Sequence, residues 1–185
     1  MSLHLSILAI EGDHLAEFPR LWQRFDFEPR GDAREGVDWE TVNRADDAPE
    51  DKAVCVVGGW TVVLDPEMVL MTETEACAAL SAELKARVVG VVAEGVSASY
   101  GYHVFADGQQ VRGFLRVDGE LVDDHGAPLP EEAGIALQDV GESEVFDLLG
   151  RFGVDYDALE GETDFVLWPL TFTGEDADSA VGDMP

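Results

Sequence analysis

Two Asp-Gly pairs, Asp107-Gly108 and Asp118-Gly119, constrain the fold of this chain more than any other feature. Each lies between short runs in which apolar and polar residues alternate. Asp-Gly tolerates the left-handed backbone of a tight hairpin turn, so this arrangement predicts consecutive antiparallel strands. Residues 97–106, 111–117 and the stretch after Gly119 form a meander over 97–122. Side chains alternate across a strand. Parity therefore puts Tyr100, Tyr102, Val104, Val111, Leu115 and Val117 on one face, with the tyrosines, Val104 and Leu115 buried. Ser99, His103, Phe105, Arg112, Phe114 and Arg116 take the other face.

The remaining pattern surrounds this meander with strands and a few helices. Residues 3–10 read as a well-buried first strand, and 88–93 as another. A helix over 19–26 holds Pro19 in its first turn, where its missing amide costs nothing. Residues 53–64 are rich in β-branched residues and make one or two strands broken at Gly58-Gly59. Thr72 and Glu75 have capping-box spacing at the head of a helix ending near Arg87, with Cys77, Leu80 and Leu84 as its buried stripe. Ser143 caps a helix over 144–152 that buries Val145, Leu148, Leu149 and Phe152 and stops at Gly153. A turn is expected at Asp155-Tyr156-Asp157. A last strand follows over 164–172, and Pro169 marks it as an edge strand or ends it there. Residues 27–52 are polar and read as a long loop pinned by Trp39, and 173–185 as a disordered acidic tail. The sum is one α+β domain over 1–172: a mainly antiparallel sheet with two to three helices packed on it.

Charge limits the partners. The chain carries 39 acids against 11 Lys and Arg, a net charge of −28. Residues 118–185 hold 19 of those acids and only Arg151 as a base. Such a surface repels polyanions, so nucleic acid and anionic membranes are excluded as partners and a basic protein is attracted. Solubility or adaptation to high salt is the competing account of the same acidity. No run approaches the roughly 20 apolar residues of a membrane helix. The opening residues lack the basic leader of a signal peptide, which points to the cytoplasm.

Catalytic and cofactor signatures are absent. There is no Gly-x-Ser-x-Gly elbow around Ser97 or Ser99, no phosphate loop and no dinucleotide fingerprint. An enzyme is therefore disfavoured, and no cofactor is expected. Cys55 and Cys77 sit among apolar neighbours and read as buried thiols. Asp123-Asp124-His125, with His103 close by in sequence, has metal-ligating residue types. Adjacent strand residues point to opposite faces, however, so the triplet reads as turn chemistry and no metal is expected. His103, Arg112 and Arg116, on one hairpin face, are a candidate anion site. Their alternative is ion pairing with neighbouring acids. In the acidic third, Asp155, Tyr156, Asp157, Leu159, Glu160 and Glu162 interleave charge with two apolar side chains. That mixture suits a basic partner, because apolar anchors hold and charge steers. The alternative is an acidic loop with two core anchors.

The segment Gly59-Trp60-Thr61-Val62-Val63, the capped helix, the Tyr100–Val117 hairpin and the run from Gly126 to Gly134 resemble uncharacterised small proteins of high-GC bacteria. Some neighbouring families of similar build are immunity-type partners of secreted toxins. The resemblance implies an α+β build and a partner-binding role, and brings no catalytic residue with it. The resulting expectation is an acidic binding protein, immunity-like, that engages a basic protein. The alternative is a small-ligand binder or enzyme with a site on the sheet or under the 27–52 loop. Oligomeric state stays open.

Overall fold

A computed structural model describes residues 4–42, 50–162 and 164–174. In chain order the elements are β1 (His4–Glu11), α1 (Phe18–Leu21), β2 (Phe27–Pro29), β3 (Arg34–Val37), α2 (Trp39–Val42), β4 (Lys52–Val57), β5 (Trp60–Leu64), α3 (Thr74–Leu84), β6 (Val88–Glu94), β7 (Ser99–Ala106), β8 (Gln109–Val117), β9 (Glu120–His125), α4 (Glu142–Phe152), α5 (Tyr156–Glu160), β10 (Phe165–Trp168) and β11 (Leu170–Phe172). Nine strands form one sheet in the order β3-β10-β4-β5-β1-β6-β7-β8-β9, and β11 pairs with β2 in a small second sheet. Every strand pair is antiparallel. The protein is thus an α+β fold, with the meander where the two Asp-Gly turns place it. No helix among the described residues is long and apolar enough to cross a membrane.

Helices cover both faces of the sheet, so its central strands are apolar on both sides. β6 is buried along its whole length. One face packs Ile7, Val62, Val91, Tyr102 and Phe114 against Val145, Leu148, Leu149 and Phe152 of α4. The other packs Leu8, Val63, Val88 and Phe105 against Phe18, Leu21 and Trp22 of the α1 segment and Cys77 and Leu80 of α3. Gly90 is required by this second layer: a Cβ there would sit 2.6 Å from the Cβ of Met71, in the turn that leads into α3.

The hairpin parity needs correction on its second strand. Ala106 pairs with Gln109 and Phe105 with Gln110, but the next pair is Val104 with Arg112. Val111 is an extra residue, a bulge left exposed. One inserted residue moves every later side chain to the opposite face. Tyr100, Tyr102 and Val104 do share the inner face, but with Arg112, Phe114 and Arg116. Leu115 faces the other way, opposite Gly101. Tyr102 and Phe114 stack at 6.3 Å as a result.

Other boundaries shift for local reasons. The 27–52 stretch is not an unbroken loop: β2, β3 and α2 occupy much of its first half, because β10 and β11 offer edges to pair with. Residues 43–49 lie outside the described residues. Trp39 does anchor this stretch, against Tyr156 and Phe165. The Thr72–Glu75 capping box is not formed. The Thr72 hydroxyl donates to Val69 O within a preceding 3-10 turn, and α3 starts two residues later. Gly141, not Ser143, caps α4, and the Glu144 carboxylate accepts from its amide. Gly153 ends α4 at φ 110°, as its sequence position implies. Of the two readings of Pro169, an edge or the strand's end, the second holds: β10 stops at Trp168. β10 lies between β3 and β4, and the chain leaves that sheet at Pro169 to enter the second one. Of the acidic tail, Thr173 is tied to Asp26 O by its amide (2.7 Å) and hydroxyl (3.0 Å), and residues 175–185 lie outside the described residues.

Candidate functional site

α4 is amphipathic, and its inner stripe fixes what its outer side presents. With Val145, Leu148, Leu149 and Phe152 buried, Phe146, Asp147 and Gly150 fall on the outer rim. The chain turns back at Gly153 and starts α5, whose N-cap Asp155 accepts a hydrogen bond from the Asp157 amide at 3.0 Å. The expected turn at 155–157 is thus the first turn of a short helix. Leu159 of α5 is fully buried and anchors it to the core. This anchoring leaves Tyr156 half-buried, stacked on Phe146 with centroids 4.2 Å apart and rings 19° from parallel. Trp39 of α2 meets Tyr156 edge-on at 5.9 Å.

The result is a cleft of about 460 Å³ lined by Phe146, Asp147, Gly150, Asp155, Tyr156 and Asp157. A second cleft of about 340 Å³, which includes Ile135, Asp139 and Glu144, shares Asp147 with it. The first cleft is lined by two aromatic rings and three carboxylates. The field acts on Tyr156 itself: burial first, then the Glu160, Glu142 and Asp157 carboxylates, raise its phenol above the ordinary value. Asp147 pairs with Arg151 at 2.7 Å, and Arg151 also donates to the carbonyls of Glu131 and Ala133. The one base of the acidic third is therefore spent on tying α4 to its neighbouring loop. Gly150 lies in the last turn of α4, where glycine costs up to about 1 kcal/mol relative to alanine. Nothing in the fold requires it, since a Cβ there would meet no atom within 4 Å.

Of the residues expected to bind a partner, Asp155, Tyr156 and Asp157 line this cleft. Glu160 sits beside the Tyr156 hydroxyl. Glu162 accepts from the Asp164 amide at 2.9 Å, and Leu159 belongs to the core rather than the surface. The sequence reading missed Phe146, Asp147 and Gly150. The available signal was Phe146, an aromatic just off the inward stripe of α4.

The anion-site set is not brought together. The bulge at Val111 puts Arg112 and Arg116 on the face opposite His103. Arg112, 2% exposed, clamps the 125–132 segment onto the sheet. Its Nε and Nη2 donate to the two oxygens of Glu132 at 2.8 and 3.2 Å, and Nη1 donates to Asp124 at 2.5 Å and to His125 O at 2.9 Å. Desolvation works to lower the Arg112 pKa, but Glu132 and Asp124 outweigh it and hold the guanidinium above its ordinary value. Glu132 stays below the usual carboxylate range against its own burial. Arg116 bonds the Gly119 carbonyl within the turn. For Arg112 this is the ion-pairing alternative.

Asp123, Asp124 and His125 diverge as strand geometry requires. Asp124 goes to Arg112. Asp123 reaches across Gly113 to lie 3.2 Å from His103 Nε2, while His103 Nδ1 is 3.2 Å from Met71 O. The lane exists because position 113 has no side chain; a Cβ there would meet the Asp123 carboxylate at 2.4 Å. His125 Nε2 is 3.2 Å from Gln110 O. Among the described residues, no three His, Cys, Asp or Glu side chains are grouped to hold a metal. Cys55 and Cys77 are free and buried, and burial pushes both thiols up to about 12. A cluster that the sequence did not announce joins buried Lys52 to buried Asp65 (3.3 Å) and partly exposed Glu67 (2.9 Å), with the Lys52 ammonium 4.8 Å from the Phe27 ring centroid. Comparison of the chain with protein-family models, curated proteins and solved structures found no match.

Proposed function

We propose that this chain is a non-enzymatic, immunity-like binding protein whose α4–α5 face engages a basic protein partner. The observation that carries the reading is the cleft over the Phe146–Tyr156 stack, with Asp147, Asp155 and Asp157 around it. It unites the two ingredients of a tight polar interface: partly exposed aromatic area for contact and one-signed charge for steering. Gly150 supports it further, because a helix position has been left empty where only the cleft gains. The opposing proposal, a ligand site on the sheet, is disfavoured by the helices that cover both faces of the central strands. The 27–52 region contributes instead through Trp39, which buttresses Tyr156.

The test is capture of partners from the source cells by wild-type protein and by two variants. One is the triple change Asp155→Asn, Asp157→Asn and Glu160→Gln, which removes charge. The other is Gly150→Leu, which fills the cleft and leaves the charge intact. A basic protein retained by the wild type, released by salt and lost with both variants is the expected result. A basic partner that both variants retain places binding elsewhere.

A further inference from the structure

Resting on that reading, we propose that the side chain the cleft receives is an arginine of the partner, not a lysine. Lysine and arginine carry the same charge and differ in shape. A guanidinium is planar, weakly hydrated and forked, so it can lie on a ring and pair with a carboxylate together; an ammonium is a compact, strongly hydrated point charge. The cleft offers both surfaces at once. Phe146 and Tyr156 stack face to face at 4.2 Å, so each can offer only its outer face, and each is half-buried. Asp155 and Asp157 flank the ring of Tyr156 at the start of α5, and Asp147 stands across from them on α4.

The molecule already uses this arrangement once on the same helix. Arg87 lays its guanidinium 4.9 Å from the ring centroid of Phe152, in α4, and pairs with Glu131 at 2.6 Å. The cleft has the same two components, ring and carboxylate, with a space of about 460 Å³ where that arginine would be. Asp147, shared with the second cleft, already holds Arg151 at 2.7 Å, so the carboxylates that pair with the incoming guanidinium are those of Asp155 and Asp157.

Two capped hexapeptides test it, one alternating arginine with glycine and the other alternating lysine with glycine. Their affinities are measured by calorimetry at low salt. The arginine peptide is expected to bind about two- to fivefold tighter, the margin an exposed ring adds to a cation that can stack on it. Gly150→Leu should erase that preference while leaving the circular dichroism spectrum intact. Tyr156→Leu should do the same. Equal affinity for the two peptides overturns the arginine assignment and leaves the binding face standing. Binding of neither overturns both. A preference for arginine that survives in Gly150→Leu puts the guanidinium in another place and overturns the site.

Discussion

Replacing Arg112 by methionine separates its two readings, an exposed anion contact or a buried clamp. The side chain is 2% exposed and Glu132 is 6% exposed. Removing the guanidinium strands a carboxylate that keeps the Leu129 amide at 2.8 Å as a donor, with the Tyr102 hydroxyl also favouring its charged form. Breaking one partner out of a buried pair costs about 3–5 kcal/mol, and the remaining amide bond argues for the lower half of that range. The contact with Asp124, which is 51% exposed, adds less than about 1 kcal/mol. Loss of the bond to His125 O adds about 1 kcal/mol more, offset in part by the apolar methionine stem. The expected total is about 4 kcal/mol. Urea unfolding followed by tryptophan fluorescence should show it as a midpoint lowered by about 1–2 M, at the slope typical of a domain of this size. The double variant Arg112→Met/Glu132→Gln should recover about half the loss, because the buried charge is gone and the Leu129 amide keeps an acceptor. A loss below about 0.5 kcal/mol, the range of an ordinary surface change, would refute the clamp. So would a double variant no more stable than the single one.

Three other outcomes follow from the packing and the charges. Glu83, Glu131 and Glu132 are held below the ordinary glutamate value of 4.5 by their arginine partners, against the opposing effect of desolvation. Their contribution is complete above that value and is lost as pH falls through their lower folded values. Thermal stability should therefore drop below about pH 4.5, and Glu132→Gln should flatten that drop; an unchanged slope would contradict the assignment. Asp65 runs the opposite way, since burial raises its pKa and its contribution fades as pH rises. Cys55 and Cys77 should resist a thiol reagent at pH 8 until the protein unfolds, and rapid labelling of the native state would show that the core opens. Gly101→Ala should cost about 1–3 kcal/mol, because its Cβ would lie 2.4 Å from Phe114 O. A melting temperature unchanged by that substitution would show that β7 and β8 are spaced otherwise.

Much of the fold was legible because its turns carry their own chemistry. Asp107, Gly108, Asp118 and Gly119 all adopt the positive φ that makes Asp-Gly a turn signal. The apolar runs of β1, β5 and β6 announce burial on both faces. What stayed hidden depends on pairing. Nothing in the local sequence marks Val111 as a bulge, yet that one residue decides whether Arg112 faces His103 or Glu132. The Lys52–Asp65–Glu67 trio joins residues whose proximity exists only after β4 and β5 pair. The candidate site was half legible. Residues 155–157 were visible as charge around an aromatic, whereas Phe146 and Gly150 gain meaning only once α5 folds back along α4. Leu159 looked like a partner contact and is a core anchor, since a five-residue helix must bury something to be held in place.

The most direct measurement is a backbone amide NMR titration of the whole chain with the alternating arginine–glycine hexapeptide. If the α4–α5 cleft is the binding surface, the amides of Phe146, Asp147, Gly150, Asp155, Tyr156 and Asp157 move first and saturate together. The same titration into Gly150→Leu should leave them still. Shifts spread evenly over the acidic surface, with no saturation at the cleft, would contradict it and leave the acidity as a matter of solubility.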